Sequence, residues 1–374
     1  MNPQNGNSAT TMPRVDFDRA PFLVIWESTR SCALACQHCR ASAILRRDPW
    51  ELNTEEGMRL LDQTAELGTP VFIISGGDPL NRTDIEELVR HGKTRGLRMG
   101  TIPAATSNLT KERLASLREA GLDQVAFSLD GPLAHLHDNF RGTAGSYAKT
   151  LQGVAWAREL GMPVQINTCF AAWNYQHLDA MIELVKSLGI VFWEVFFLVP
   201  MGRGEGLDCV TPAQFEEAFA KLHDLSRERR FIVKVTEAQH YRRFVIAKEL
   251  VRVEASTAEE RIKQVLATKG VMGGLGLSPK AVNSGNGFMF VDHVGNVCPS
   301  GFLPIPVANA RTTSLVDAYR NSTLFRELRN PKLLKGRCGR CEFASVCGGS
   351  RARAYAATGD YLAEDPSCGY QPAS

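Results

Sequence analysis

The sequence lacks the features that would place the protein in a membrane or on a nucleic acid. Its 374 residues include 43 Lys and Arg against 40 Asp and Glu, so there is no basic excess to favour a polyanion. The most apolar stretch, residues 191–201, contains Glu194 and is shorter than the ~20 residues of a transmembrane helix. The polar N-terminus has no apolar signal-peptide core. We therefore expect a cytoplasmic protein that binds neither nucleic acid nor membrane.

What the sequence does contain is cysteine in an uneven distribution. Most of the 10 cysteines fall in two groups, one of Cys32, Cys36 and Cys39 and one of Cys338, Cys341, Cys347 and Cys368. In a reducing compartment such grouping favours metal or cluster ligation over disulfides.

The order of apolar runs predicts the fold class. Between residues 20 and 230, six short β-branched or aromatic runs alternate with amphipathic stretches. Such alternation predicts an α/β fold, with parallel strands joined by right-handed crossovers. Six units are too few for an eight-stranded barrel, so we expect an open, partial (β/α)6 barrel of the TIM type. Its chemistry would lie at the C-terminal ends of the strands.

The pattern also divides the chain into four segments. Residues 1–19 are expected to be disordered or extended, and residues 20–230 to form the barrel. Residues 231–285 look like an irregular or helical connector, with a charged helical stretch at 257–268. A hairpin pattern then opens a smaller, cysteine-rich domain over residues 286–374.

The first cysteine group follows the first predicted strand with the spacing CxxxCxxC. Three thiolates on one loop can bind three irons of a [4Fe–4S] cluster and leave the fourth iron open, since such a cluster normally takes four cysteines. Zinc is the alternative, but it needs a fourth ligand and usually has paired CxxC geometry. The spacing resembles that of the radical S-adenosylmethionine (SAM) superfamily. His38 stands where that family usually has an aromatic ring, which implies a contact with SAM.

Two further motifs stand where this resemblance places SAM contacts. Gly76, Gly77, Asp78 and Pro79 follow the second strand and resemble the GGEP motif, with Asp in place of Glu. Ser128 and Asp130 follow the fourth strand and resemble the SxD element, and Asn167 at the end of the fifth is a further candidate. A simple turn, an Asx-turn or helix cap, and a buried structural Asn are the respective alternatives.

The resemblance implies a radical mechanism. A reduced cluster passes one electron to the sulfonium of SAM, the C5′–S bond breaks, and a 5′-deoxyadenosyl radical abstracts hydrogen from the substrate. Such chemistry requires a low-potential electron donor such as ferredoxin or flavodoxin.

The second cysteine group resembles the SPASM domain of radical SAM maturases. The resemblance implies that Cys338, Cys341, Cys347 and Cys368 ligate one auxiliary [4Fe–4S] cluster, with a four-Cys zinc ribbon as the alternative. Relatives with two auxiliary clusters have two more cysteines, at places held here by Ser300 and Ser350. Cys298 lies two residues from an expected ligand position and is interpreted as a partly buried thiol, with a ligand role as the alternative. We therefore expect one auxiliary cluster.

The sequences around these motifs resemble the haem-related group of the superfamily, the Fe-coproporphyrin III decarboxylases and haem d1 maturases. The similar segments are residues 26–41, 128–132, 137–142 and 338–368. This resemblance implies a tetrapyrrole substrate, from which oxidative decarboxylation of a propionate would leave a vinyl group. Its carboxylates would suit arginine forks, for which Arg141, Arg203, Arg351 and Arg353 are candidates.

Two other functions stay open. A maturase that modifies a ribosomal peptide shares the same outline, but it usually has a leader-binding domain before the barrel, where this chain has only about 20 polar residues. A non-enzymatic iron–sulfur or zinc protein would need no SAM site, and the motifs at 76–79 and 128–131 count against it.

Overall fold

The computed structural model describes residues 15–250 and 282–372. Within these ranges the strands are β1 (Leu23–Glu27), β2 (Val71–Ser75), β3 (Arg98–Thr101), β4 (Gln124–Ser128), β5 (Val164–Phe170), β6 (Phe192–Phe197), β7 (Ile232–Thr236), β8 (Phe288–Val291), β9 (Asn296–Cys298) and β10 (Ala308–Asn309). They form a single sheet in the order β10-β9-β8-β1-β2-β3-β4-β5-β6-β7.

Helices connect and cover these strands. They are α1 (Thr54–Leu67), α2 (Ile85–Thr94), α3 (Lys111–Glu119), α4 (Ala134–Arg141), α5 (Ser146–Glu159), α6 (Ala172–Tyr175), α7 (Leu178–Ser187), α8 (Pro212–Arg227), α9 (His240–Leu250), α10 (Leu315–Asn321), α11 (Thr323–Leu328), α12 (Gly336–Gly339) and α13 (Arg351–Thr358). Short 3-10 helices lie at Pro79–Asn81, Gly202–Gly206 and Pro331–Leu333. No helix in the described part of the chain is long and apolar enough to cross a membrane.

The first seven strands pair in parallel with their neighbours, and for the first six the alternating pattern predicts this arrangement. β7 lies at one edge of the sheet, so the barrel is open. The expectation of an α/β fold with an open partial barrel is confirmed. The parallel arrangement brings the C-terminal ends of the strands to one edge, where the loops that follow them meet.

Side chains that alternate along the strands build the main core. Val24 and Trp26 of β1 are fully buried in one apolar cluster with Leu60 and Leu61 of α1. α1 is delimited by its own sequence: Asn53 accepts a hydrogen bond from the Glu56 N–H at 2.9 Å, and the Glu56 carboxylate accepts the Asn53 N–H at 2.9 Å. Because alternate residues of a strand face opposite sides, the intervening positions face the inside of the barrel.

β7 was not expected, since residues 231–285 were predicted to be irregular or helical. Ile232–Thr236 pairs in parallel with β6 and adds a seventh strand. Four of its five residues are β-branched, which favours extended structure. Lys234 interrupts the apolar run of this strand. Its side chain faces the barrel interior and pairs with Glu194 at 2.9 Å. The predicted helical stretch at 257–268 lies outside the described residues.

The C-terminal segment continues the same sheet. β8 pairs in parallel with β1, and β8 and β9 form the expected antiparallel hairpin. Tyr319 of α10 connects this segment to the residues just before β1. Its hydroxyl donates to the Phe17 carbonyl at 2.8 Å and accepts a hydrogen bond from the Gly287 N–H at 3.1 Å. The division into a barrel and a separate cluster domain stays a prediction.

Candidate active site

The loop after β1 holds Cys32, Cys36 and Cys39 close together. Cys32 and Cys36 are buried in one apolar cluster with Leu34, and Cys39 packs against it. Burial raises the pKa of the Cys32 thiol to about 11, and the neighbouring Asp78, Cys36 and Cys39 add to that effect. Bound iron would reverse this preference, because a coordinating thiol loses its proton.

Each of these three sulfurs accepts a hydrogen bond from one N–H group. The Leu34 N–H points to Cys32 Sγ at 3.4 Å and the Ala43 N–H to Cys39 Sγ at 3.4 Å. Cys36 Sγ accepts a hydrogen bond from Arg141 Nη1 at 3.7 Å. Nowhere in residues 15–250 or 282–372 do three or more Cys, His, Asp or Glu side chains lie close enough to hold a single metal ion. In a four-iron cluster each thiolate binds a different iron, and three cysteines on one loop suit that donor set.

Arg203 fixes the shape of this loop. Its Nε donates to the Cys36 carbonyl at 2.9 Å and its Nη1 to the Ala43 carbonyl at 3.2 Å, while its backbone N–H donates to the Cys39 carbonyl at 3.1 Å. The expectation that Arg203 binds a substrate carboxylate stays a prediction, because two of its three donor nitrogens bind the loop instead. Its guanidinium is already used to hold the cysteine loop.

The glycine pair after β2 packs directly on the backbone that precedes Cys32. A Cβ at Gly76, which has a φ of +154°, would lie 2.5 Å from the Thr29 carbonyl oxygen, and a Cβ at Gly77 would lie 2.5 Å from that of Ser31. The Gly77 N–H donates to the Thr29 carbonyl at 2.6 Å. Only glycine permits this approach, so the motif at 76–79 and the cysteine loop form one unit.

Asp78 is fully buried and its carboxylate is bound within the same unit. It accepts the Thr106 hydroxyl at 2.6 Å and the backbone N–H groups of Leu80 at 3.1 Å and Ala104 at 3.3 Å. Burial raises its pKa despite these hydrogen bonds. Pro79 then begins a 3-10 helix. At this motif it is the backbone, rather than the Asp78 side chain, that is left to meet a ligand.

Asp130 is the centre of a buried ionic cluster beside the cysteine loop. Its Oδ2 pairs with Arg141 Nη2 at 2.6 Å and lies 3.7 Å from His38 Nε2. Its Oδ1 accepts the Cys169 N–H at 2.8 Å. Burial opposes ionisation, but the charge of Arg141 outweighs it and lowers the pKa of Asp130. Arg141, expected as a substrate contact, instead connects Asp130 to the sulfur of Cys36.

His38 is positioned as an aromatic ring. It stacks on Phe140 with the ring centroids 4.0 Å apart and the planes 11° from parallel. Burial lowers its pKa to about 3, so the imidazole is neutral near pH 7. The expected contact of this ring with SAM stays a prediction. Phe140 was not singled out from the sequence, because nothing local marks an aromatic residue of α4 as a partner of the cysteine loop.

A polar row crosses the inner face of four strands. The register aligns Ser128 of β4 with Asn167 of β5, Glu194 of β6 and Lys234 of β7. Gln165 links this row by donating to Asn167 Oδ1 at 2.7 Å and to Glu194 Oε2 at 2.9 Å. The sequence motifs single out Ser128 and Asn167 but not Glu194 and Lys234. The signal for the last two is that each polar residue stands between apolar neighbours along its strand.

The second cysteine group lines one cavity. Cys338, Cys341, Cys347 and Cys368 surround an empty volume of about 430 Å³, together with Arg243, Arg337, Phe343 and Tyr370. Cys338 Sγ accepts the Asp365 N–H at 3.5 Å, and Cys347 Sγ accepts the Gly349 N–H at 3.4 Å. Four sulfurs around one cavity, with N–H donors directed at them, fit a fully ligated cluster.

The two serines at possible ligand positions have other partners. Ser350 Oγ donates to Glu237 Oε2 at 2.6 Å and accepts the Arg353 N–H at 3.0 Å as the cap of α13. Ser300 Oγ accepts the Phe302 N–H at 3.1 Å. Cys298 is buried, and burial raises the pKa of its thiol to about 12. The number of auxiliary clusters stays a prediction.

Arg351 and Arg353 are both buried and bind backbone carbonyls. Arg353 Nη2 donates to the carbonyls of Leu198 at 3.2 Å and Glu237 at 2.6 Å. Arg351 Nη1 donates to those of Tyr361 at 2.9 Å and Ala363 at 2.6 Å. In this conformation both guanidinium groups hold backbone carbonyls, and their expected role as substrate contacts stays a prediction.

Known proteins resemble this chain along most of its length. A family model described as the radical SAM superfamily matches residues 26–185. An AdoMet-dependent heme synthase of Methanosarcina barkeri is 41% identical over 94% of this chain and 97% of its own length. One of Oleidesulfovibrio alaskensis is 36% identical over 98% and 92%. A PqqA peptide cyclase of Rhodopseudomonas palustris is 31% identical over 94% and 88%.

A solved structure shares the fold. SuiB of Streptococcus suis, bound to S-adenosylmethionine, matches with a TM-score of 0.71 and covers 94% of this chain and 78% of SuiB. At 15% identity this likeness concerns the architecture alone.

Proposed function

Because the chain belongs to the radical SAM superfamily, we propose that it is a haem-forming enzyme that oxidatively decarboxylates propionate side chains of an iron tetrapyrrole such as Fe-coproporphyrin III. The observation that carries this proposal is its 41% identity to an AdoMet-dependent heme synthase over nearly the full length of both proteins. The peptide cyclase is less similar, at 31% identity. A peptide substrate is therefore the second candidate.

The catalytic centre would be built on the cysteine loop. Cys32, Cys36 and Cys39 would hold a [4Fe–4S] cluster, and when bound with SAM this cluster supplies a primary carbon radical. The backbone of Gly76 and Gly77 would meet the methionine part of SAM, since its polar groups lie beside the loop. His38, held flat by Phe140, would offer an aromatic face.

The other predicted SAM contacts would act from the neighbouring strands. Asp130 is held in its ionised form by Arg141, which keeps a hydrogen-bond acceptor beside the cysteine loop. Ser128 and Asn167 face the barrel interior from adjacent strands, where polar parts of SAM or of the substrate would bind. The row that continues to Glu194 and Lys234 brings further polar groups to the same face.

The C-terminal segment would hold a second cluster. We assign Cys338, Cys341, Cys347 and Cys368 as its four ligands, because their side chains line a single cavity. We also propose that residues 20–230 act as the barrel unit and 286–374 as the auxiliary-cluster unit. A low-potential carrier such as ferredoxin or flavodoxin would supply the electron for SAM cleavage.

The test is a mass-spectrometric assay of anaerobically reconstituted protein with SAM, dithionite and Fe-coproporphyrin III. We expect 5′-deoxyadenosine and a porphyrin that has lost CO2 and two hydrogens for each propionate converted. Cys36→Ala should abolish both products, whereas Cys298→Ala, which alters a thiol that we do not assign as a ligand, should retain SAM cleavage. Formation of 5′-deoxyadenosine with unchanged porphyrin would refute the haem assignment and favour a peptide substrate.

A further inference from the structure

We propose that Arg351 raises the reduction potential of the auxiliary cluster, so that the C-terminal unit accepts the electron released by substrate decarboxylation. This inference rests on the function proposed above. It concerns a side chain that the sequence suggested only as a substrate contact and that the structure places against a cysteine sulfur.

The guanidinium of Arg351 is held against Cys338. Its Nη2 lies 3.7 Å from Cys338 Sγ, and the side chain is 1% exposed. Carbonyl oxygens of Gly349, Tyr361 and Ala363 accept its other N–H groups at 3.4, 2.9 and 2.6 Å. These contacts fix the orientation of the guanidinium and direct one donor at the sulfur.

Gly349 provides the space for this contact. It has a φ of +64°, and a Cβ at this position would lie 2.8 Å from Arg351 Nη2 and 3.2 Å from Cys338 Sγ. Any larger residue would therefore be forced between the guanidinium and the sulfur. The contact depends on a backbone conformation that favours glycine, which marks it as a built feature of this loop.

Arg351 has no carboxylate within ion-pair distance in the described residues, although Asp360, which pairs with Lys335 at 2.5 Å, interacts with its charge over a longer range. Among residues 15–250 and 282–372 all of the acceptors of Arg351 are carbonyls and a sulfur. The nearby Asp365 carboxylate binds the Ser350 N–H at 2.8 Å and lies 3.6 Å from Arg353. A buried charge in this state acts on its surroundings with little screening.

Three other arginines beside the cysteine groups have carboxylate partners, and a further half-buried arginine, Arg242, adds to the positive charge near Cys347. Arg141, which contacts Cys36 at the first group, is neutralised by Asp130 at 2.6 Å. Arg337 lines the C-terminal cavity but pairs with Glu364 at 3.0 Å and is partly exposed. Arg243 also lines the cavity and pairs with Glu216. Arg351 therefore sets the two cysteine groups apart electrostatically.

This difference has a definite consequence for the potentials. The potential of an iron–sulfur cluster depends on net charge, on hydrogen bonds to its sulfurs and on solvent exposure. An unpaired buried cation that donates to a ligand sulfur stabilises the reduced, more negative cluster. The C-terminal cluster should therefore be easier to reduce than the one that binds SAM.

The proposed reaction needs such an acceptor. When a hydrogen atom has been removed from the β-carbon of a propionate, the bond to the carboxylate breaks, CO2 leaves, and the vinyl double bond forms with the release of one electron. The auxiliary cluster in its oxidised form would take up that electron, so atoms and charge balance for one propionate. Before the next propionate is converted, an external one-electron acceptor would reoxidise the cluster.

The test measures a potential rather than turnover. In full-length protein with Cys32, Cys36 and Cys39 all changed to Ala, only the C-terminal cluster contributes to an EPR-monitored redox titration. We expect Arg351→Gln to shift its oxidised-to-reduced ratio at a fixed potential at least tenfold towards the oxidised form, a fall of about 59 mV for one electron. Arg351→Lys should recover part of the shift, and the matched control Arg337→Gln should change the ratio less than threefold.

Two outcomes would overturn the proposal. One is an unchanged potential in an Arg351→Gln protein that carries its full complement of iron. The other is a triple-Ala protein that binds no cluster. That result would show that the C-terminal cysteines hold no auxiliary cluster, while SAM cleavage by the unaltered protein would still support the proposed function.

A second measurement covers the case in which Arg351→Gln fails to load a cluster. In the triple-Ala background with guanidino-¹⁵N-labelled arginine, pulsed EPR of the reduced C-terminal cluster should show ¹⁵N coupling whose strongest component is lost in Arg351→Lys. Weaker couplings from Arg243 and Arg337, which line the same cavity, should remain. An absent coupling, or a spectrum that Arg351→Lys leaves unchanged, would contradict the contact.

Discussion

Replacing Gly77 by Ala tests the proposed role of the glycine pair most directly. The new Cβ would lie 2.5 Å from the Ser31 carbonyl oxygen and 2.7 Å from that of Arg30, both backbone atoms that no side-chain rotation can move. The loop would have to shift, which would strain the hydrogen bonds from the Gly77 and Asp78 N–H groups at 2.6 and 2.7 Å. Overpacking of this kind costs about 1–3 kcal/mol.

Gly206 offers a matched control. A Cβ there meets nothing within 4 Å. Gly206→Ala should therefore be neutral or slightly stabilising, by up to about 1 kcal/mol, because alanine reduces the entropy of the unfolded chain. Both variants make the same chemical change, so the difference between them isolates the close approach to residues 30–31.

Two assays report the result. Anaerobic denaturant unfolding should give the stability loss for Gly77→Ala and none for Gly206→Ala. Calorimetric titration with SAM should show at least tenfold weaker binding to Gly77→Ala, equivalent to about 1.4 kcal/mol, because the displaced loop moves the backbone groups that meet the ligand. A Gly77→Ala protein with unchanged stability and unchanged SAM affinity would refute the reasoning.

Three further predictions concern buried polar groups and cluster content. Asp130→Asn should destabilise the protein by about 3–5 kcal/mol in anaerobic unfolding, since it leaves Arg141 buried without its counter-charge. The folded state lowers the pKa of Asp130, so its contribution to stability should be present above the unfolded pKa and lost as the pH falls through the folded pKa. A stability difference between the unaltered protein and Asp130→Asn that did not change with pH would contradict this. Ser350→Ala should cost about 1–3 kcal/mol by leaving Glu237 without its hydroxyl donor, and an unchanged midpoint would count against that hydrogen bond. Iron analysis should give about eight irons per chain, four for each of two clusters, whereas about twelve would mean that a third cluster exists.

The fold and the family were predictable to a large extent from local patterns. The alternation of apolar runs indicated parallel strands, and the hairpin of β8 and β9 followed from a turn between two short runs. The CxxxCxxC spacing indicated the superfamily, which the relatives confirm. β7 was not predicted, because Lys234 interrupts its apolar pattern. The positive charge of Lys234 inside the barrel is explained by Glu194 on the neighbouring strand.

The roles of the arginines could not be predicted in the same way. Arg141, Arg203, Arg351 and Arg353 all looked available for carboxylates, because a sequence does not show which acceptors surround a side chain. In the structure Arg203 holds a loop more than 160 residues earlier, and Arg353 reaches carbonyls more than 110 residues away. Such contacts depend on how distant segments pack.

By itself, the sequence determined what depends on neighbours along the chain: the spacing of Cys32, Cys36 and Cys39, the glycines that allow a close approach, and the periodicity of strands and helices. Tertiary structure alone decided which charges meet. It placed Arg141 between Asp130 and a cysteine sulfur, and Arg351 beside Cys338 with no carboxylate within ion-pair distance in the described residues. The reason is physical: hydrogen bonds and ion pairs act over a few ångströms in space, and the fold brings together residues that the chain keeps far apart.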